Sequence, residues 1–86
     1  MATETERMQT GIKAILKERK RSLRWLAEEV EISYPTMRRR MQPGGMDGIS
    51  LKELLAICEA FNMTLGDLHD YATNRYLQQL IDKVKL

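Results

Sequence analysis

Residues 22–42 read Ser22-Leu23-Arg24-Trp25-Leu26-Ala27-Glu28-Glu29-Val30-Glu31-Ile32-Ser33-Tyr34-Pro35-Thr36-Met37-Arg38-Arg39-Arg40-Met41-Gln42, and this stretch decides the fold. Leu23, Leu26, Ala27 and Val30 recur at i, i+3, i+4 and i+7, which predicts one face of a short helix capped by Ser22 and ending near Glu29 or Val30. Three residues, Glu31-Ile32-Ser33, separate it from a second helix that Ser33 can cap. Pro35 falls in the first turn of that helix, where its missing N–H costs nothing and its fixed φ is already helical. Met37 and Met41 share one side at i, i+4, leaving Pro35, Arg38, Arg39 and Gln42 on the opposite, positive side.

Toward the N-terminus, Met8, Ile12, Ile15 and Leu16 lie at i, i+4, i+7 and i+8 and predict a helix from about Thr5 to Lys20. Toward the C-terminus, Pro43-Gly44-Gly45-Met46-Asp47-Gly48 reads as a surface loop between helices, too short for an interdomain linker. Its glycines, Gly44, Gly45 and Gly48, either permit close approach to a nucleic-acid backbone or form a flexible connector. Ser50 with Glu53 matches a capping box, ahead of an expected buried stripe of Leu51, Leu54, Leu55, Cys58 and Phe61 that Asn62 ends. Thr64 with Asp67 opens a further short helix, with Leu65 and Leu68 inward and an end around Tyr71. From Thr73 or Asn74, Tyr76, Leu77, Leu80, Ile81 and Val84 form one wide apolar stripe on either a distinct helix or a bent continuation of the preceding one. Strand alternation and internal repeats are lacking, so the class is all-α, with five or six short helices.

The chain has 86 residues, 43% hydrophobic and 30% charged, which is the balance of one globular domain. A domain of this size has a thin core, so a deep substrate cavity is not expected and a partner subunit would add stability. The net charge of +2 hides a division, because residues 1–42 carry ten Lys/Arg against six Asp/Glu while residues 43–86 carry four against six. The N-terminal half can therefore present a positive face to a polyanion. The lone Cys58 excludes an intramolecular disulfide and sits in an apolar helix face, which reads as a reducing, cytoplasmic setting. One His and one Cys cannot assemble a metal site or a nucleophile pair, and no glycine-rich phosphate loop is present, so neither an enzyme nor a cofactor is expected. No apolar run long enough to span a membrane occurs, and the first ten residues lack the apolar core of a secretory signal.

Two short helices joined by a three-residue turn, the second with an exposed basic face, are the ingredients of a helix-turn-helix DNA reader. On that geometry Tyr34, Pro35, Arg38, Arg39 and Gln42 are the candidates for base contacts, Arg pairing bidentately with guanine edges and Pro35 touching only apolar groups such as a thymine methyl. Lys20, Arg21, Ser22 and Arg24, around a helix N-terminus, are better placed for phosphates. Arg40 is assigned to phosphate as well. Thr36 either joins it or back-bonds its own helix. The bland alternative for the whole set is a solvated charged surface. Trp25 is either a solvent-facing contact or a core packer against the first or third helix, and the core is the expectation.

The residues from Ser22 to Met37 resemble the motif of the Cro/repressor (XRE-like) helix-turn-helix family of phage repressors and many bacterial regulators. Leu26-Ala27 matches its apolar-then-small pair, and Val30, Ile32 and Met37 match the apolar positions around the turn. The stretch from Ile49 to Leu68 is similar to the family's fourth and fifth helices, so the resemblance covers roughly residues 8 to 71. Three departures stand out. Glu31 occupies the turn position that is usually glycine, so it either takes a positive φ or uses another turn. Arg40 stands where an aliphatic residue is usually buried, with Met41 available to take over its packing, which leaves open which of Arg38, Arg39 and Arg40 faces the bases. Leu23 replaces a frequent glutamine.

The resemblance implies a five- to six-helix lambda-repressor-like helix-turn-helix domain over residues 1–72, with its motif at about 22–42. Residues 73–86 form a C-terminal helix acting in dimerisation or as a lid. It further implies a bacterial or phage-encoded, nucleoid-associated, sequence-specific transcriptional regulator, repressor-like, that binds double-stranded DNA as a homodimer without a membrane. Tyr76, Leu77, Leu80, Ile81 and Val84 are the expected dimer contacts. The alternative is an antitoxin-like or adaptor module that captures a protein partner through the C-terminal helix.

Overall fold

Five Ser or Thr hydroxyls set the starts of the five helices in the computed structural model, which describes residues 3–84. The helices are α1 (Glu4–Glu18), α2 (Leu23–Val30), α3 (Tyr34–Arg40), α4 (Leu51–Ala60) and α5 (Leu65–Val84). Thr3, Ser22, Ser33, Ser50 and Thr64 each accept a hydrogen bond from the backbone N–H three residues on, at 3.0–3.3 Å, which satisfies one of the donors a helix start leaves free. Thr64 is capped reciprocally, since its own N–H donates to Asp67 Oδ2 at 3.1 Å. The box expected at Ser50 is only half made, because the Glu53 carboxylate turns away to Arg40.

The stops are less orthodox. Just past the ends of α1, α2 and α4 lie Lys20, Glu31 and Asn62, all in the left-handed region with φ of 55°, 63° and 56°. In each case the next N–H reaches back to a carbonyl of the last helical turn: Arg21 to Leu16, Ile32 to Ala27 and Met63 to Cys58, at 2.9–3.0 Å. Glu31 thus adopts the turn that glycine usually makes. A β-carbon there costs roughly 1–2 kcal/mol, and its carboxylate lies at the negative end of α2, whose last turn has no basic residue. Glu31→Gly should therefore stabilise the protein by about 1 kcal/mol, raising Tm by ~5 °C in a thermal melt. An unchanged or lower Tm would mean that this turn carries no strain.

The core gathers Ile12, Leu26, Met37, Ile57, Phe61 and Leu68, each fully buried, with Met46 of the loop. The α1 stripe of Met8, Ile12, Ile15 and Leu16 is buried as its spacing predicts, although the helix starts and ends slightly earlier than expected. α4 differs. Its inward face is Ile57, Cys58 and the capping Phe61, with Leu54 half-buried, whereas Leu51 and Leu55 are 61% and 43% exposed. Leu54-Leu55-Ala56-Ile57 is apolar all round, so periodicity alone leaves the rotation of α4 open; its contacts with α2 and α5 choose it. Trp25 is half-buried and packs against the core, stacking on Phe61 at the end of α4 with ring centroids 6.2 Å apart.

The helix expected to finish around Tyr71 and the C-terminal apolar segment are one 20-residue α5. Its N-terminal half lies along α1, where Gly11 meets Ala72 closely enough that a Cβ on Gly11 would sit 2.8 Å from the Ala72 Cβ. Its C-terminal half carries Leu77, Leu80, Ile81 and Val84 out to solvent.

Candidate nucleic-acid interface

α3 owes its position to the two methionines beneath it. Met37 is fully buried and Met41, its C-cap, nearly so, and burying that pair turns Pro35, Arg38, Arg39 and Gln42 outward. These four residues line one open depression on the surface, the grouping expected from their spacing. Among the described residues the carboxylate partners of basic side chains are Glu53 for Arg40 and Glu4 and Asp70 for His69, so Arg38 and Arg39 keep their charge for a ligand.

Tyr34 is half-buried beside them, with the Arg24 guanidinium 4.2 Å and the Arg38 guanidinium 5.9 Å from its ring centroid. Cation–π attraction of this kind is worth about 0.5–1 kcal/mol at exposed sites. It lines up an arginine of α2 with one of α3 across the turn. Thr36 accepts a hydrogen bond from the Ser33 hydroxyl at 2.8 Å, so its oxygen is tied to its own helix cap while its O–H proton points elsewhere. Lys20, Arg21, Ser22 and Arg24 are all exposed around the start of α2, with Arg21 5.1 Å over the Trp25 ring.

Arg40 behaves differently from its two neighbours. Its Nε donates to Glu53 Oε2 at 2.7 Å and its Nη2 to Oε1 at 3.3 Å, with the two side chains 27% and 15% exposed. The bond to Glu53 raises the already high guanidinium pKa further, against a smaller opposing effect of burial. Its charge is used inside the protein, joining α3 to α4, rather than held out to a phosphate.

The end of α3 is also held from α1. Gln9 is 7% exposed, and its Nε2 donates to the carbonyls of Arg40 and Gln42 at 2.7 Å each. Gln9 is absent from the apolar stripe that predicts α1. Its signal was present nonetheless, since Gln9, Ile12 and Leu16 lie at i, i+3 and i+7 on the buried face. The loop glycines divide as well. Gly44 has φ +75°, Gly48 has open space around it, and Gly45 packs against the backbone of Arg39 and Arg40, so the close approach it permits is to the protein's own chain.

Residues 11–74, more than half of the chain, match the family model of the Cro/C1-type HTH DNA-binding domain. The chain belongs to the Cro/C1-type HTH family. DNA binding is therefore its activity, carried by an all-helical domain of five helices. Comparison with curated proteins and with solved structures returned no match. Within this Cro/C1-type domain α2, the turn and α3 form the helix-turn-helix. The family is a binding family, not an enzymatic one. Burial pushes the Cys58 thiol above its usual pKa, opposite to what a nucleophile needs. Among the described residues there is no group of three or more His, Cys, Asp or Glu that could hold a metal ion, and no helix long and apolar enough to cross a membrane.

Proposed function

We propose that the protein is a sequence-specific transcriptional repressor that reads the major groove with α3 and occludes a promoter as a homodimer. The observation carrying this reading is the face of Pro35, Arg38, Arg39 and Gln42, exposed and, among the described residues, without carboxylate partners on a helix tied down at both ends. Tyr34, Pro35, Arg38, Arg39 and Gln42 contact bases; Lys20, Arg21, Ser22, Arg24 and the Thr36 hydroxyl contact phosphates. Arg40, engaged by Glu53, is left out of the contact set.

The dimer joins through the second half of α5. Leu77, Leu80, Ile81 and Val84 fall at i, i+3, i+4 and i+7 and are 39–74% exposed, a seam suited to a partner helix. Tyr76 is turned toward α1 instead, with the Arg7 guanidinium 5.3 Å from its ring centroid, and is dropped from the seam. The shape leaves that seam uncovered, with principal extents of 43 × 24 × 21 Å. A monomer of 10.0 kDa is expected to expose about 5,200 Å², whereas the chain exposes 5979 Å².

Binding to duplex DNA at rising salt tests the reading. Three cationic phosphate contacts per half-site predict a thousandfold fall in affinity, roughly, between ~50 and ~200 mM salt, and Arg21→Ala should flatten the slope by about one per half-site. Affinity that ignores salt would sink the proposal. In sedimentation, the chain should run as a dimer and Ile81→Asp as a folded monomer. A dimer that survives Ile81→Asp would place the interface elsewhere. Capture of a protein partner that depends on residues 73–86 but not on Arg38 and Arg39 would favour the adaptor reading instead.

A further inference from the structure

α3 is seven residues long, so its own backbone holds its end only weakly, and that end carries Arg38, Arg39 and, just beyond, Gln42. A helix terminus leaves its last carbonyls without intrahelical donors. Here the Arg38 and Arg39 carbonyls accept from the N–H groups of Met41 and Gln42, both at 3.1 Å. The Arg40 carbonyl is served by Gln9, and the Gln42 carbonyl by Gln9 and by the Gly45 N–H at 2.8 Å. Gln9 is the buried polar side chain among the described residues, and its amide nitrogen spends its two protons on these two carbonyls.

We infer that Gln9 is a positioning residue for base readout: without touching DNA, it fixes from α1 the angle at which Arg38, Arg39 and Gln42 meet the bases. The inference rests on the reading of α3 as the recognition helix. Bidentate pairing of an arginine with a guanine edge needs two bonds in one plane. A small swing of the last turn is amplified along a long side chain and breaks that geometry. Phosphate contacts from Lys20, Arg21, Ser22 and Arg24 sit at the start of α2, capped by Ser22 itself, and do not share this anchor. Loss of the Gln9 bonds therefore lowers discrimination and spares sequence-independent binding.

The test begins by selecting a preferred duplex with the wild-type chain and measuring its affinity against a scrambled duplex at the same salt. Gln9→Met keeps the length and removes both donors. The preferred duplex should bind about tenfold more weakly while the scrambled one stays within twofold, and Gln9→Lys, which can donate to both carbonyls, should recover most of the loss. Ile15→Val, a core change in the same helix, controls for stability alone and should leave the ratio intact. Without DNA, amide exchange at Met41 and Gln42 should quicken in Gln9→Met and not in Ile15→Val. A Gln9→Met ratio equal to that of Ile15→Val, or equal weakening on both duplexes, overturns the inference. If Gln9→Met does not fold, Gln9→Asn, which withdraws the amide by one methylene, carries the same comparison. A wild-type chain with no sequence preference would instead defeat the proposed function. The exchange measurement then decides the anchoring by itself, with unchanged rates at Met41 and Gln42 overturning it.

Discussion

Gly45→Ala should cost about 3 kcal/mol, the upper end of what forced overpacking does, and lower Tm by roughly 15 °C. A Cβ at this position falls on the carbonyl oxygen of Arg39, with the carbonyl carbons of Arg39 and Arg40 at 2.9 and 3.0 Å. The obstacle is the backbone of α3, not the end of a flexible side chain, so relief requires the loop or the helix end to move. Movement would also disturb the bond from the Gly45 N–H to the Gln42 carbonyl. Since domains of this kind are stable by only about 5–15 kcal/mol, the variant should be largely unfolded at temperatures the wild type tolerates. Gly48→Ala is the internal control. Nothing lies within 4 Å of its added methyl, and its melting should stay within about 0.5 kcal/mol of wild type. Equal melting curves for the two variants would show that the loop does not press on α3.

The double variant Arg38→Ala/Arg39→Ala should do the reverse. Both side chains are exposed on α3 and have no carboxylate partner among the described residues, so thermal stability should hold. Each bidentate contact to a base discriminates by about 1–3 kcal/mol, and two of them lost from a half-site should cut preference for the selected duplex by about a hundredfold or more. Sequence-independent affinity should fall much less, because the basic cluster at the start of α2 remains. A double variant that still prefers the selected duplex would move base readout off this face. Lys20→Ala offers the contrast: it should weaken binding to all sequences alike.

The helices and the outward face of α3 were readable because their signals are local. A Ser or Thr and the N–H it caps lie three residues apart, so Ser22, Ser33, Ser50 and Thr64 announce their helices in the chain itself. The buried Met37 and Met41, one turn apart, settle which residues of α3 face out. Residues distant in sequence escaped this kind of reading. Nothing near Arg40 shows that its partner is Glu53, thirteen positions on, and nothing near Gln9 shows that it ends α3, over thirty positions away. Adjacent arginines look alike in the chain, yet two stand exposed and one ties α3 to α4.

Sequence alone therefore determined the helical class, the helix-turn-helix and its positive face, since these follow from caps, turns and a 3.6-residue period. Tertiary structure decided the rest. It rotated α4 so that Leu51 and Leu55 face out, ran α5 unbroken through residues 72 and 73, tied Arg40 to Glu53, and brought Gln9 and Gly45 to the end of α3. Each of these depends on which surfaces meet when the helices pack, a choice made by burial and hydrogen bonding between elements and not by any short stretch of chain.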